Sequence, residues 1–408
     1  MSIPTRVRPG TARLLAGWQQ TGKPAGFAEH SARYGPLPRT DALIDLVEAS
    51  GLRGRGGAGF PTAIKLRAVA AGRRTPVVIA NGCEGEPVSR KDHALLSVAP
   101  HLVFDGAQLA ALAIGANSVL LCVHRDDPLA ASVARALAQR QGDPVPTRIV
   151  EVPARFVASQ ESALVNFVNT GLAKPTTAPP RPYERGVRGK PTLVDNVETL
   201  ANIALIARDG ATASSMLVTV EGAVRAGGVR EVGLGGTLGA ALATAGGETE
   251  PLQAVLAGGY GGSWLPFPAA AGLPLTHNDM RGVGVLLALP VRACGIAETA
   301  AILRYLAEES ARQCGPCMFG LPAITQDFSL LATGRADAAT LHRLRGRLGV
   351  ISGRGACAHP DGAVRLAASA LRVFDRDVHQ HSTGRLCAFA AQRVRFTSNQ
   401  RFRETGWA

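Results

Sequence analysis

The sequence predicts a multidomain protein: an α/β region with a parallel sheet, then a small α+β unit, then a C-terminal bundle of helices. A chain of 408 residues is long enough for two or three domains. Short apolar strands alternate with helices up to about residue 152, which is typical of a parallel sheet covered on both faces. From about residue 297 the strand pattern stops, and helical stretches joined by short loops favour a bundle.

The elements of the first half follow from local patterns in chain order. An apolar-periodic N-terminal part carries a helix near 41–49 that ends at Gly51. The α/β region is predicted to contain strands at 76–80, 118–123 and 147–152 and helices at 106–114 and 128–140. Proline, glycine and arginine in 172–192 predict a long loop, followed by a helix at about 194–207.

The second half divides in the same way. The α+β unit is predicted to hold strands at 216–220, 255–257 and 283–289 and a short helix at 237–245. Four helices are predicted for the bundle, at about 297–309, 321–333, 337–348 and 361–380. The tail, 388–408, contains Arg393, Arg395, Phe396, Arg401, Phe402 and Arg403 and is predicted to be loosely held, with docking on a partner as the alternative.

Composition sets limits on location and partners. Apolar residues make up 46% of the chain, but no uninterrupted apolar stretch is long enough for a membrane span, and no signal peptide is recognised. The cytoplasm is therefore the expected compartment, and seven cysteines there argue against a disulfide framework.

The charge of the chain is uneven. The net charge is +13, and residues from 341 onward carry twelve arginines against four acidic residues, a local +8. A basic surface suits an acidic protein or a nucleic acid. Since no nucleic-acid-binding motif accompanies it, an acidic protein partner is expected and a nucleic acid is not.

A glycine-rich segment is the most informative motif. Four glycines occupy six positions in 54–59, and Lys65 follows closely. Backbone N–H groups without neighbouring Cβ atoms can approach an anion, and a lysine adds a point charge for a phosphate. The acidic turn 81–87 follows the next predicted strand and can supply hydrogen-bond acceptors. Lys91 and Asp92, just beyond it, are expected to form a surface pair.

The cysteines of the helical region form the second motif. Cys314 and Cys317 make a C-x-x-C in a predicted loop, and Cys357 lies in another loop before the last helix. This spacing suits one metal ion or cluster; the alternatives are a zinc site with His359 as fourth ligand, a redox dithiol, or ordinary buried thiols. Of the other cysteines, Cys122 and Cys294 are expected in the core, and Cys387 is a remote candidate for a fourth thiolate.

Four motifs together resemble the flavin- and NADH-binding F subunit of bacterial respiratory complex I and its relatives in NAD-reducing hydrogenases and formate dehydrogenases. They are G-R-G-G-A-G-F-P-T at 54–62, N-x-x-E-G-E-P at 81–87, G-K-P-T-x-V-x-N-V-E-T-L at 189–200 and E-S-x-x-x-C-x-P-C at 309–317. The resemblance covers about 50–385. It implies an FMN-dependent oxidoreductase that passes electrons from NADH through flavin and an iron–sulfur cluster to a protein partner.

The resemblance also implies a domain layout. It comprises an N-terminal helical segment (1–50), an α/β FMN-binding domain (51–208), a ubiquitin-like β-grasp domain (214–290), a helical iron–sulfur domain (295–385) and a basic tail (386–408). The implied cluster is [4Fe–4S], held by Cys314, Cys317 and Cys357. Other oxidoreductase subunits, or an acidic ferredoxin-like electron carrier, are the implied partners.

Site residues carry over from the family motifs position by position. The FMN phosphate and ribityl contacts fall on Gly54, Gly56, Lys65, Asn81, Glu84, Asn196 and Thr199. The nicotinamide-side contacts fall on Gly57, Phe60, Glu86 and Glu161. Catalysis is expected to rest on cofactor placement, with no acid–base dyad. Glu86 and Asn196 have an alternative role as helix caps.

Several positions depart from the family pattern. Ala311 replaces the first cluster cysteine, so that three thiolates remain. Cys83 and Gln160 each replace a carboxylate, and Phe156 replaces a tyrosine. Two aromatic rings that stack on the adenine are lost, at Ala68 and Arg181. These losses leave two alternatives open: an electron-transfer flavoprotein that does not use NADH, and a structural subunit without a redox centre.

Overall fold

The computed structural model describes residues 13–210, 212–276, 283–392, 394, 396, 406 and 407. Its helices before the second sheet are α1 Ala16–Thr21, α2 Phe27–Tyr34, α3 Leu43–Ala49, α4 Thr62–Ala70, α5 Lys91–Val98, α6 Pro100–Ile114, α7 Pro128–Ala138, α8 Glu161–Thr170 and α9 Val197–Asp209. The later helices are α10 Leu238–Thr244, α11 Gly295–Glu308, α12 Leu321–Ala332, α13 Ala338–Ile351, α14 His359–Val373 and α15 Asp375–Ser382.

The first sheet is parallel throughout. Its strands are β1 Val77–Asn81, β2 Val119–His124, β3 Thr147–Val152 and β4 Thr192–Asn196, in the spatial order β3-β2-β1-β4. All six residues of β2 are buried, as expected for a central strand covered on both faces. The predicted α/β region with a parallel sheet is confirmed.

Two long apolar helices cover this sheet. α6 and α9 pack closely, and Gly106 is required at their crossing because a Cβ there would overlap the carbonyl group of Leu200. Among the described residues, no single helix is long and apolar enough to cross a membrane. α5 and α6 together have the length and composition, but they are bent by 97° relative to each other.

The second sheet is mixed. Its strands are β5 Ser215–Gly222, β6 Gly228–Gly233, β7 Leu252–Ala257, β8 Ser263–Pro266 and β9 Val285–Pro290, in the order β6-β5-β9-β7-β8. β5 and β9 are parallel, and the other pairs are antiparallel. α10 packs its apolar residues on this sheet. The small α+β unit predicted from the sequence is therefore present.

The C-terminal region is helical, as predicted. The helix predicted at 361–380 is divided at Phe374 into α14 and α15. The ring of Phe374 packs on Trp264 of β8 with centroids 5.2 Å apart, and it lies directly over Gly295, where a Cβ would overlap it. Burial of this ring accounts for the position of the break.

The described part of the tail packs on the protein. Phe396 is buried, and its carbonyl oxygen accepts a hydrogen bond of 2.8 Å from the hydroxyl of Tyr260. The ring of Trp407 lies under the guanidinium of Arg155, 4.4 Å away, and its carbonyl accepts from the N–H of Ala173. Of the other tail residues singled out in the sequence, Arg393, Arg395, Arg401, Phe402 and Arg403 lie outside the described residues.

Candidate functional site

The site is centred on the point where the order of the first sheet reverses. β2 and β3 lie on one side of β1, and β4 lies on the other. Asn81 ends β1 and Asn196 ends the neighbouring strand β4, and the two residues are partners in register. In open α/β sheets, ligands bind in the crevice beyond the carboxyl ends of the strands at such a reversal.

The glycine-rich segment closes over this crevice as a tight bend. The N–H of Gly54 donates to the carbonyl oxygen of Phe60 at 2.9 Å, and α4 begins two residues later. Gly57 and Gly59 have φ values of 106° and 61°, which favour glycine. A Cβ at Gly56 would lie 3.5 Å from that of Asn196, so the bend contacts the end of β4 directly.

Thr199 fixes the bend from the opposite side. Its buried hydroxyl accepts a hydrogen bond of 2.9 Å from the N–H of Arg55. The Arg55 guanidinium continues to the carbonyl oxygen of Ser215 at 3.0 Å, at the start of β5. The bend is thus held by α9 and by the second sheet.

Lys65 lies beside the crevice among carboxylates. Its Nζ donates to the carbonyl oxygen of Val194 at 2.8 Å and lies 3.4 Å from Asp195 and 3.7 Å from Glu161. Burial lowers the pKa of Lys65, but the two carboxylates more than offset this, so the pKa lies above its ordinary value. A protonated amine is therefore available at the rim of the crevice.

Asn81 connects the crevice to the turn before α8. Its side-chain Nδ2 donates to the carbonyl oxygen of Ser159 at 2.8 Å, and its Oδ1 accepts from the N–H of Cys83. Glu161 follows this turn as the first residue of α8 and is partly exposed. The structure thus brings together Gly54, Gly56, Lys65, Asn81, Glu161, Asn196 and Thr199.

A cluster of buried charged side chains lies next to Asn196, at the end of β4. The Nζ of Lys91 is 2.7 Å from Asp92, 2.9 Å from Glu198 and 3.2 Å from the Oδ1 of Asn196. Only 2% of the Lys91 side chain is exposed, so the expectation of a surface pair with Asp92 is wrong. The reason is α5, a helix that the sequence patterns did not predict and that carries both residues inward against α9.

Asn196 has the helix-cap role that the sequence left as the alternative to a flavin contact, and it also takes part in the buried cluster. Its Oδ1 accepts from the N–H of Glu198 at 3.0 Å and caps α9. Its Nδ2 donates to Asp92 at 2.7 Å. Asn196 therefore caps α9, belongs to the buried charge cluster and lies next to Gly56.

Glu84 and Glu86 are engaged elsewhere than in the crevice. Glu84 accepts hydrogen bonds from the hydroxyl of Ser89 and from the N–H groups of Asp92 and His93, at the start of α5. Glu86 is buried and accepts from the N–H of Tyr260 at 2.9 Å. Burial raises the pKa of Glu86 to about 8. Each carboxyl thus joins the acidic turn to a neighbouring element.

The residues present fit FMN. The N–H of Thr62, at the start of α4, donates to the carbonyl oxygen of Leu52 at 3.0 Å, whereas those of Ala63 and Ile64 precede the first intrahelical acceptors, and the glycines before α4 keep the approach open. Beside the bend, two buried polar atoms of the described residues have no hydrogen-bond partner, the Oγ1 of Thr62 and the Oδ2 of Asp195. Because buried polar groups are normally hydrogen-bonded, these atoms leave hydrogen-bonding capacity for a polar ligand at this position.

The rim of the crevice offers little aromatic surface. Phe60 is 47% exposed, which leaves one ring of the implied stacking pocket accessible. Arg181 is exposed, and its guanidinium lies 4.0 Å from Glu161. Leu66 and Ala68 follow Lys65 within α4, and neither can replace a stacking ring.

The three cysteines of the second motif lie near one another at one end of the bundle. Burial raises the pKa of the Cys317 thiol to about 12, and the nearby thiols of Cys314 and Cys357 act in the same direction. Three neighbouring thiols at one end of the bundle suit a cluster, in which each thiolate binds a different iron.

His359, the fourth ligand in the zinc alternative, contacts a backbone carbonyl oxygen through one ring nitrogen. Its Nε2 lies 2.8 Å from the carbonyl oxygen of Leu306, and burial lowers its pKa to about 4, so the ring is neutral. The position of the missing fourth cysteine is the buried Ala311.

A short bridge connects the crevice to this end of the bundle. Glu309, from the cluster motif, accepts hydrogen bonds from the Nε of Arg155 at 2.8 Å and the N–H of Phe156 at 3.2 Å. The Phe156 ring packs on His359 with centroids 5.3 Å apart. The short helical turn Phe156–Ser159 thus contacts Asn81 at one end and the cysteine region at the other.

Several residues of the site are not among those predicted from the sequence. The helix predicted at 194–207 takes in the end of β4, which left Asp195 out of consideration. The signal was present: Asn196 followed by Glu198 is a typical helix start, which places the preceding residues outside the helix. Arg55, Thr62 and Glu198 gave no comparable signal, because their roles depend on contacts between distant segments.

Comparisons with known proteins identify the family of the chain. Residues 47–205 match the family model of the Nuo51 FMN-binding domain, and 297–381 match that of the NADH-ubiquinone oxidoreductase-F iron-sulfur binding region. A crystal structure of NAD+-reducing [NiFe]-hydrogenase in the H2-reduced state superposes with a TM-score of 0.82 and 30% identity, covering 95% of this chain and 68% of that chain.

Curated relatives extend the match over most of the sequence. The F subunit of NADH-quinone oxidoreductase from Streptomyces coelicolor is 28% identical over 382 residues, covering 86% of this chain and 85% of that protein. Its counterpart from Escherichia coli K12 is 30% identical over 371 residues, covering 82% of this chain and 83% of that protein. By sequence, fold and motif, the chain belongs to the family of NADH-quinone oxidoreductase F subunits.

Proposed function

We propose that this chain oxidises NADH at an FMN held in the crevice and passes the electrons through an iron–sulfur centre to a protein partner. Membership of the family makes it a flavoprotein oxidoreductase with an iron–sulfur region. The observation that carries the proposal is the glycine bend closed over the ends of β1 and β4, with two unpartnered buried polar atoms beside it within the described residues.

Each group of residues has a defined part in this proposal. The bend and the first turn of α4 bind the phosphate, while Lys65 adds a positive charge that Asp195 and Glu161 keep in place. Asn81 and Asn196 orient the ligand at the strand ends. Cys314, Cys317 and Cys357 hold the cluster. When bound, FMN supplies hydride acceptance and the cluster supplies one-electron transfer.

Anaerobic reduction tests the function. Purified holoprotein is mixed with excess NADH, and the visible absorbance of the flavin is followed. Rapid bleaching is expected. If the flavin is not bleached by NADH but is reduced by dithionite, the cofactor site is intact and NADH is not the donor.

A second candidate is favoured by the exposed Arg181 and the loss of adenine-stacking rings. In it, the protein exchanges electrons with an acidic ferredoxin-like carrier and does not use NADH. The basic C-terminal region, with a local charge of +8, would attract such a carrier. Fast flavin reduction by reduced ferredoxin that slows steeply with added salt would favour this candidate. The acidic carrier and a cytoplasmic location both remain predictions.

A further inference from the structure

A second set of metal-ligating side chains lies in the helical region, apart from the predicted cluster ligands. Cys294, His381 and Cys387 place two Sγ atoms and one imidazole nitrogen all within 4.8 Å of one another. Cys294 and His381 are buried, and Cys387 is half-buried. The three residues come from the start of α11, the end of α15 and the loop after it.

This set is distinct from the cluster region. Cys294 precedes α11, whereas Cys314 follows it, and the 14 residues of α11 separate the two ends by about 21 Å. The two groups of thiols therefore cannot share one ion or one cluster.

We propose that Cys294, His381 and Cys387 bind one Zn²⁺ through two thiolates and the Nε2 of the imidazole. Soft thiolate ligands combined with imidazole favour zinc among the common divalent metals. Ligand atoms around a tetrahedral zinc lie roughly 3.5–4 Å apart, from bond lengths of about 2.0–2.3 Å. Since the three ligand atoms all lie within 4.8 Å of one another, zinc binding requires only a small inward movement.

The histidine is already oriented as a ligand. Its Nδ1 lies 3.1 Å from the carbonyl oxygen of Leu331, which places the proton on Nδ1 and leaves the lone pair on Nε2. That lone pair accepts the N–H of Cys387 at 3.0 Å. Binding of zinc requires this N–H to turn away, which the half-buried loop permits because water can solvate the released group.

Charge balance favours zinc at this depth. Zn²⁺ displaces the protons of two thiols, so two protons are released and the ion with its two thiolates is neutral overall. A neutral site avoids the cost of an uncompensated buried charge. The fourth position would be taken by water on the side of Cys387.

The site would fasten the C-terminal segment to the junction of the second sheet and the bundle. Cys294 lies between β9 and α11, and its N–H already donates to the carbonyl oxygen of Gln392 at 3.3 Å. A metal bridge to Cys387 would hold the same segment at a second point.

The test measures zinc in the full-length protein. The untagged holoprotein is incubated with ZnSO4 and desalted, and zinc and iron are counted by mass spectrometry. One zinc per chain is expected. Absorption at the zinc edge, which iron does not obscure, should give two sulfur neighbours at about 2.3 Å and nitrogen or oxygen neighbours at about 2.0–2.1 Å.

Amino-acid substitutions test which residues bind the zinc. Cys387→Ser, in a half-buried loop, and His381→Ala should each lose the bound zinc while iron and FMN per chain stay unchanged. Cys122→Ser, a buried thiol of β2, is the matched control and should retain zinc. Three results would each overturn the proposal. They are only trace zinc in the wild type, loss of zinc in Cys314→Ser but not in Cys387→Ser, and a Cys294–Cys387 disulfide in the isolated protein.

Discussion

Replacing Lys91 by methionine removes a cation that is enclosed by two carboxylates. The Lys91 Nζ lies 2.7 Å from Asp92 and 2.9 Å from Glu198, and all three side chains are at most 6% exposed. Methionine keeps the length and apolar stem of lysine but leaves Asp92 without a cation, while Glu198 keeps only Arg55, whose Nε lies 3.8 Å away. Removing one partner of a buried ion pair costs about 3–5 kcal/mol. We expect Lys91→Met to lower the free energy of unfolding by that amount.

The assay is urea unfolding followed by circular dichroism, with Lys65→Met as the matched control. Lys65 lies at the same edge of the sheet, but its side chain is 20% exposed and its ion pairs are 3.4 and 3.7 Å long. Its replacement should cost less stability than that of Lys91, because the Lys65 side chain and Glu161 are partly exposed and the ion pairs are longer, and it should act on FMN affinity as well. This contrast between the two variants would assign Lys91 to stability and Lys65 to the ligand.

A variant that also lacks the carboxylate charge tests whether uncompensated charge causes the loss of stability. Adding Asp92→Asn to Lys91→Met removes the uncompensated charge of Asp92, while Glu198 keeps Arg55 at 3.8 Å, so most of the lost stability should return. If Lys91→Met costs no more than Lys65→Met, or if the double variant is less stable than the single one, the buried-charge explanation is refuted.

Three further predictions concern pH, NADH and iron. The Glu86 pKa rises from 4.5 to about 8 on folding, so the free energy of unfolding should fall as the pH rises through this range, by up to about 1.4 kcal/mol per pH unit. In urea titrations, Glu86→Gln should remove this dependence of stability on pH. An unchanged pH dependence in the variant would contradict the prediction. Arg181→Phe restores an aromatic ring and should lower the KM for NADH roughly tenfold to a hundredfold without changing FMN content, whereas an unchanged KM would show that the ring is not needed. Cys317→Ser should lower iron per chain and Ala311→Cys should raise it, measured colorimetrically after anaerobic purification, and equal iron in both variants would exclude a cluster at this loop.

The parallel sheet and the helical bundle were predictable because their signals are local. The strand at 147–152 was predicted with its observed bounds, since apolar β-branched residues between turn residues have few alternatives. β4 was not predicted, because its five residues run directly into the capping Asn196 and then α9. Periodicity alone does not separate a short buried strand from the helix that follows it.

The location of the site could be predicted from the sequence, but the contacts that hold its residues in place could not. The glycine bend and Lys65 could be found because glycine spacing and a lone lysine are visible in the chain. Three contacts could not be predicted, since each joins segments more than 100 residues apart. They are the buried contact of Lys91 with Glu198, the contact of Glu86 with Tyr260 and the contact of Glu309 with Arg155. Such contacts depend on the packing of whole domains, which local patterns do not encode.

The double hydrogen bond accepted by Glu309 has a consequence for dissecting the protein. One carboxylate satisfies both the Arg155 guanidinium and the Phe156 amide. A fragment truncated after β9 would leave both donors without this acceptor and expose the face of Phe156 that packs on His359. The flavin half is therefore a poor candidate for separate expression, and chimeras that exchange the bundle should keep this glutamate.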